Sequence, residues 1–243
     1  MKVFFIIIYQ LLLVTGLECD ILYLDIGSNN GETIENFVQR TTETQLNKLI
    51  LNDFKFSMSQ ACVVGFEPNP RWSSKLNEIR KKYTGNVSSL NIHTNTAVVA
   101  TEDEFVQLSI DATKNNVGAS IYTGKFYKRT RANAIRLSRY IEQYLSTIRG
   151  GRKPVILIRM DIEGYEYTLL PELLTSGVLR SHKTYFAIEW HRYLKKSSHE
   201  ILDSKMQHFN RAHTCKTDCS SIYQNLEKIL TYMIQVSGGT VIY

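Results

Sequence analysis

Six short strand-like runs, most of them ending on a polar or charged cluster, govern what this chain can fold into. Ile21–Ile26, Ala61–Phe66, Pro154–Met160 and Tyr185–Trp190 are the most apolar; Leu90–Thr94 and Thr240–Tyr243 complete the set. A run of four to eight apolar residues with no alternation fits a strand buried on both faces. Stretches with helical character separate them, at Thr33–Arg40, Leu46–Lys55, Trp72–Tyr83, Ile135–Ile148, Glu166–Leu174, His199–Arg211 and Ile222–Val236. Strand and helix alternate from end to end. That pattern predicts an α/β fold, a mostly parallel sheet with helices on both faces. Val98–Ala100 and Phe105–Ile110 read as a hairpin around Thr101–Glu104, and Asp111–Thr130 as loop. The 243 residues suit a single domain with a full core.

The first residues have a different logic. Lys2 precedes the apolar run Val3–Val14, and small residues follow around Gly16. A basic start, a short apolar core and a small-residue exit predict a signal peptide over residues 1–16, and secretion or a lumenal home for the rest. The run is too short for a membrane span, which needs about 20 apolar residues. The alternative is a buried first element of the domain. Four cysteines, Cys19, Cys62, Cys215 and Cys219, fit an oxidising compartment, and Asn86-Val87-Ser88 is a glycosylation triplet. Cys215 and Cys219 are spaced to pair across one helical turn. With His208 and His213 nearby they also allow a metal site, although the spacing is a poor zinc signature.

Parallel sheets bind ligands beyond the carboxyl ends of their strands. Those ends carry D-I-G-S-N-N-G-E-T, F-E-P-N-P, R-M-D-I-E-G-Y-E and E-W-H. Gly27 and Gly31 let the first turn bring backbone close to a ligand. The turn lacks the G-x-G-x-x-G spacing of a dinucleotide site, which argues against a nicotinamide oxidoreductase. Asp25 would repel a pyrophosphate and suits a cationic ligand such as S-adenosylmethionine; a turn or capping carboxylate is the alternative. Glu67 stands where nucleoside-binding folds place a ribose-binding acid, at about twice the usual distance of roughly twenty residues from the first turn, which an inserted helical segment near Thr41–Gln60 would explain; a surface Glu before a turn is the alternative.

These four motifs, in this order, resemble the FkbM-type methyltransferases among the class I S-adenosylmethionine-dependent enzymes. The pieces are Asp25–Thr33, Gly65–Pro70, Ile158–Glu166 and Ala187–His191. The resemblance implies a Rossmann-like, seven-stranded class I fold over residues 17–243. It implies S-adenosylmethionine as cofactor, with Asp25, Gly27, Asn29, Gly31 and Thr33 around its methionine end and Glu67 on its ribose. Asn69 and Ala97, within the Asn95–Val98 stretch, would lie toward the adenine. The family has Lys before D-x-E-G, and this chain has Arg159. Arginine cannot serve as a base, so Arg159 can only orient or neutralise.

Asp161, Glu163 and His191 follow the later strands, where the acceptor should lie. Carboxylates at i and i+2 could hold an acceptor, take a proton or help ligate a divalent ion; His191 could take a hydroxyl proton. Each also has a purely structural alternative. No metal is expected from the sequence. Glu189 could orient His191, and Trp190 should pack in the core.

The expected activity is O-methylation of a hydroxyl on a small-molecule or glycan acceptor, with a secreted, inactive binding protein on the same fold as the rival. Lys and Arg exceed Asp and Glu by 29 to 23. Seven of the basic residues lie in Lys114–Arg139, with no acidic residue among them. That segment would suit an acidic acceptor; no nucleic-acid partner is expected, and a solvated surface is the plainer reading. In a class I sheet the first two strands are neighbours. Cys19 and Cys62 then fall near the same amino-terminal edge, within disulfide range; two reduced cysteines are the alternative.

Overall fold

The computed structural model describes residues 16–41, 56–111, 119–120, 127–191, 220–236 and 239–242. The expected leader (apart from Gly16), the helices at Leu46–Lys55 and His199–Arg211, and Cys215 and Cys219 with their neighbouring histidines lie outside the described residues.

Six strands form one parallel sheet. They are β1 (Ile21–Ile26), β2 (Ala61–Glu67), β3 (Ser89–Thr94), β8 (Val155–Met160), β9 (Thr184–Ile188) and β10 (Gly239–Ile242). Their order is β10-β9-β8-β1-β2-β3, and every adjacent pair is parallel. The topology reverses at β1, which lies between β2 and β8. The fold class expected from the sequence is the one observed, with six strands among the described residues.

Pleating sends alternate residues to opposite faces. Leu22, Leu24 and Ile26 join Val64, Phe66, Ile156 and Ile158 in one core. On that face pack α3 (Leu137–Ser146), α4 (Glu166–Thr175) and α5 (Ser220–Val236), through Ile141, Leu169, Leu173, Leu230 and Ile234. Ile21, Tyr23, Ala61, Val63 and Leu157 face the other core. It is covered by α1 (Glu32–Gln39) and α2 (Ser73–Tyr83), through Ile34, Phe37, Leu76 and Ile79. The Tyr23 and Phe37 rings stack at 4.3 Å.

Cys19 and Cys62 form a disulfide, with Cα atoms 5.5 Å apart and both residues fully buried. It joins the amino-terminal edges of β1 and β2, as the strand adjacency predicts. Leu17 also belongs to the fold, bridging Ile148.

The segment after β3 departs from expectation. Here β4 (Thr96–Val99), β5 (Phe105–Asp111), β6 (Ala119–Ser120) and β7 (Tyr127–Arg136) form a second sheet in the order β4-β7-β5-β6. The expected hairpin is absent, because β4 and β5 each pair with β7 instead of with each other. Part of the expected loop is strand, and Ile135 and Arg136 belong to β7, not to the helix that follows. Of the basic segment, Lys128, Arg129, Arg131 and Arg136 lie in β7. Arg131 stacks on Phe105, while Arg136 bonds Glu102 and Glu172.

Candidate active site

The sheet register builds the site. Asp25 lies beside Gly65 on β2 and beside Arg159 on β8. Parallel partners point to the same face, so the carboxylate and the guanidinium meet under the first turn. Arg159 Nη1 lies 3.3 Å from Asp25 Oδ1 and donates to the Gly27 carbonyl at 2.6 Å. Its Nη2 donates to Asp161 Oδ2 at 2.5 Å. Burial weighs against this charge, but Asp25 and Asp161 outweigh it and hold the guanidinium firmly charged. Thr33, in the first turn of α1, donates to Asp25 Oδ2 at 2.6 Å. Asp25 is fully buried and already neutralised by Arg159. Its charge alone therefore does not select a cationic ligand, as the sequence had suggested.

Gly27 and Gly31 both have left-handed backbone, at φ 88° and 82°. A Cβ on Gly27 would stand 1.9 Å from the Asp161 carbonyl oxygen, and one on Gly31 would stand 2.4 Å from Ile79 Cδ1. Only glycine allows this turn to lie so close to the β8 loop and to α2. The loop leaves Asn29 with its backbone N–H on Glu67 Oε2 at 2.6 Å, and Glu67 Oε1 accepts the Asn69 N–H at 2.7 Å. Burial pushes the Glu67 carboxyl up to about 7, and the two N–H groups only partly offset this. Asn69 is buried, its Oδ1 accepting from Arg71 N, while its Nδ2 has no hydrogen-bond partner among the described residues. Ala97 is buried in β4 opposite Ala134.

The β8 and β9 ends carry the second group. Asp161 follows β8 directly and Glu163 sits two residues on, at φ 53°. His191 lies three residues past β9. It is buried, and its Nδ1 donates to Glu166 Oε1 at 3.0 Å. Glu166 opens α4, is fully buried, and also accepts the Ile162 N–H at 2.9 Å. The Nε2 of His191 faces three more carboxylates: Asp161 Oδ1 at 3.5 Å, Glu163 Oε2 at 3.7 Å and Glu189 Oε1 at 3.9 Å. Burial works against the imidazolium. The Glu166 hydrogen bond and the surrounding charges outweigh it and push His191 up to about 9. At neutral pH His191 is thus already protonated, and the role of ready base that its residue type suggests is not what this environment favours. Burial and the neighbouring acids raise the Glu163 carboxyl, with His191 opposing. Trp190 packs against Tyr167, ring centroids 5.4 Å apart, and against the core, as expected.

All the residues anticipated from sequence border the carboxyl edge of the sheet or, for Ala97, the strand just after β3. Arg159 was expected to orient or neutralise, and it ties Asp25 to Asp161. One partner was not anticipated: Glu166 holds His191. The Glu166 role had a signal, a third carboxylate in the D-I-E-G-Y-E stretch at the start of a helix. What it lacked was its partner, which lies 25 positions later.

A parallel six-stranded sheet with helices on both faces, and with these loops at its carboxyl edge, has the Rossmann-like architecture of a class I methyltransferase. The chain belongs to the FkbM methyltransferase family, since the family model for the methyltransferase FkbM domain matches residues 25–212. No curated protein and no solved structure matches the chain.

Proposed function

We propose that this chain is an S-adenosylmethionine-dependent methyltransferase acting on a hydroxyl of a small-molecule or glycan acceptor in the secretory pathway. One observation carries the reading: a buried Glu67 carboxylate is held by two loop N–H groups beside a turn that only glycine can make. Each of its oxygens keeps a further lone pair for a ribose hydroxyl. The unpartnered Asn69 Nδ2 is a buried donor of the kind an adenine acceptor would satisfy. The residues present thus fit the cofactor. Asp25, Gly27, Asn29, Gly31 and Thr33 shape the methionine side, Glu67 the ribose side, and Asn69 and Ala97 the adenine side. The cofactor, when bound, supplies an electrophilic methyl on a sulfonium.

Asp161, Glu163 and His191 form the acceptor side in this reading. They orient a hydroxyl; Asp161 or Glu163 receives its proton, and the charged His191 stabilises the negative charge that develops. Trp190, the residue before His191, lines with Gln224, Glu227, Tyr232 and Gln235 of α5 a hollow of about 470 Å³. Aromatic faces with amides and a carboxylate are what a sugar ring needs. The buried disulfide and the exposed Asn86 of the glycosylation triplet support an oxidising, glycosylating compartment. Calorimetry of S-adenosylmethionine binding to Asp25→Ala and Glu67→Ala, with labelled-methyl transfer to cell-surface glycan extracts, tests the reading. Unchanged affinity in both variants refutes the cofactor assignment. Binding without any turnover favours an inactive binding protein.

A further inference from the structure

We infer that Asp161, Glu163 and His191 form a site for one divalent first-row transition-metal ion, with Glu166 as the outer carboxylate that aims the imidazole. Asp161 Oδ1, Glu163 Oε2 and His191 Nε2 converge, and one ligand atom from each residue lies within 4.8 Å of the others. The two His191 edges of that triangle, 3.5 and 3.7 Å, are close to the roughly 3.4 Å spacing that tetrahedral metal–ligand bonds of roughly 2.0–2.2 Å give. Three protein ligands leave positions open for water or for an acceptor oxygen, the usual layout of a working metal centre rather than a structural one.

The surroundings support an ion independently of the triangle. Metal-bound histidines commonly donate their second ring N–H to a carboxylate, which fixes the tautomer and turns the other nitrogen to the metal. Glu166 does this at 3.0 Å, and it is fully buried with its second oxygen, Oε2, lacking a hydrogen-bond partner among the described residues. Arg159 takes Asp161 Oδ2 and leaves Oδ1 directed at His191. Glu189 stands 3.9 Å from Nε2, within reach as an additional oxygen donor. Among the described residues, four carboxylates face one imidazole and one guanidinium, and that guanidinium is shared with Asp25. An imidazole among carboxylates suits manganese or zinc better than magnesium or calcium.

This site does not depend on the methyltransferase reading, and its test uses no cofactor. Mn²⁺ is titrated into the full chain and followed by electron paramagnetic resonance. It is preferred to Zn²⁺ because it has little affinity for thiolates. One Mn²⁺ per chain is expected, not displaced by a tenfold excess of Mg²⁺. Binding should weaken at least about 100-fold in His191→Ala and about 10–100-fold in Glu166→Gln. Glu163→Gln changes a partly exposed side chain and leaves the core intact, so it carries the test if His191→Ala does not fold; at least tenfold weakening is expected. No uptake by the wild-type chain, or equal uptake by Glu163→Gln and wild type, overturns the inference. A chain that binds Mn²⁺ but not S-adenosylmethionine would retire the functional reading and keep this one; the opposite result would do the reverse.

Discussion

The two halves of the candidate site handle negative charge in opposite ways. At the ends of β1 and β2, each carboxylate has its own partners. Asp25 has Thr33 and Arg159, and Glu67 has two backbone N–H groups. At the ends of β8 and β9, four carboxylates gather around one imidazole at distances from 3.0 to 3.9 Å, and Asp161 among them also takes Arg159. The first half is a satisfied network, and such networks rigidify and define a shape. The second half crowds like charges together, an arrangement common where a site binds a ligand or changes charge during a reaction. In the function proposed above, holding and reacting fall on the two sides of the switch point at β1.

The largest expected effect comes from joining what the comparison separates. Gly27→Ala places a methyl group against the Asp161 carbonyl in a left-handed backbone, so both halves must shift. Denaturant unfolding should show a loss of about 3 kcal/mol or more. A loss under about 1 kcal/mol would mean that the two loops are not in close contact. Cys19→Ala with Cys62→Ala acts at the far edge of the same strands. It should cost roughly 2–4 kcal/mol of stability, while cofactor affinity in the folded protein changes less than twofold.

Glu67→Gln should weaken S-adenosylmethionine binding by about 1–3 kcal/mol. Its pH behaviour is more specific. The folded pKa, about 7, lies above the unfolded value, so the native state binds the extra proton. The contribution is fully present below about pH 4.5 and is lost as pH rises through about 7. Wild-type stability should therefore fall relative to Glu67→Gln across that window, by up to about 3 kcal/mol. Parallel pH profiles of the two would contradict the burial of Glu67. The smallest effect belongs to the other half. Glu163→Gln should change stability by less than about 0.5 kcal/mol and cofactor affinity less than twofold. A marked loss of cofactor affinity there would dissolve the division of labour.

The main sheet was legible because its strands are apolar on both faces and short, so β1, β2, β8 and β9 stand where I-L-Y-L-D-I, A-C-V-V-G-F, V-I-L-I-R-M and Y-F-A-I predict. β7 was not. Its sequence, Y-K-R-T-R-A-N-A-I-R, is basic and has few large apolar residues, because Arg131 is taken up by Phe105 and Arg136, at the end of the strand, by Glu102 and Glu172. Those partners become visible only after folding. The parallel pairing of β4 with β7 is likewise non-local, and the adjacent β5 made a hairpin the simpler inference. In the site, residue types and spacing identified the carboxylates and the histidine. Their protonation and pairing depend on the register that sets Asp25 against Arg159, and on a helix start meeting a loop beyond β9.

The central position of β1 has a consequence for how the chain is made. On one side Ile21 meets Ala61, and on the other Val155. During synthesis the first neighbour emerges early and the second only after more than half of the chain. Non-local parallel pairing of this kind is slow to form, and an open strand edge invites association with other chains. Cys19 and Cys62 both belong to the early half, so oxidation can fasten β1 to β2 while β8 is still missing. A chain produced in a reducing compartment would wait through the same interval with that edge exposed and no covalent clasp.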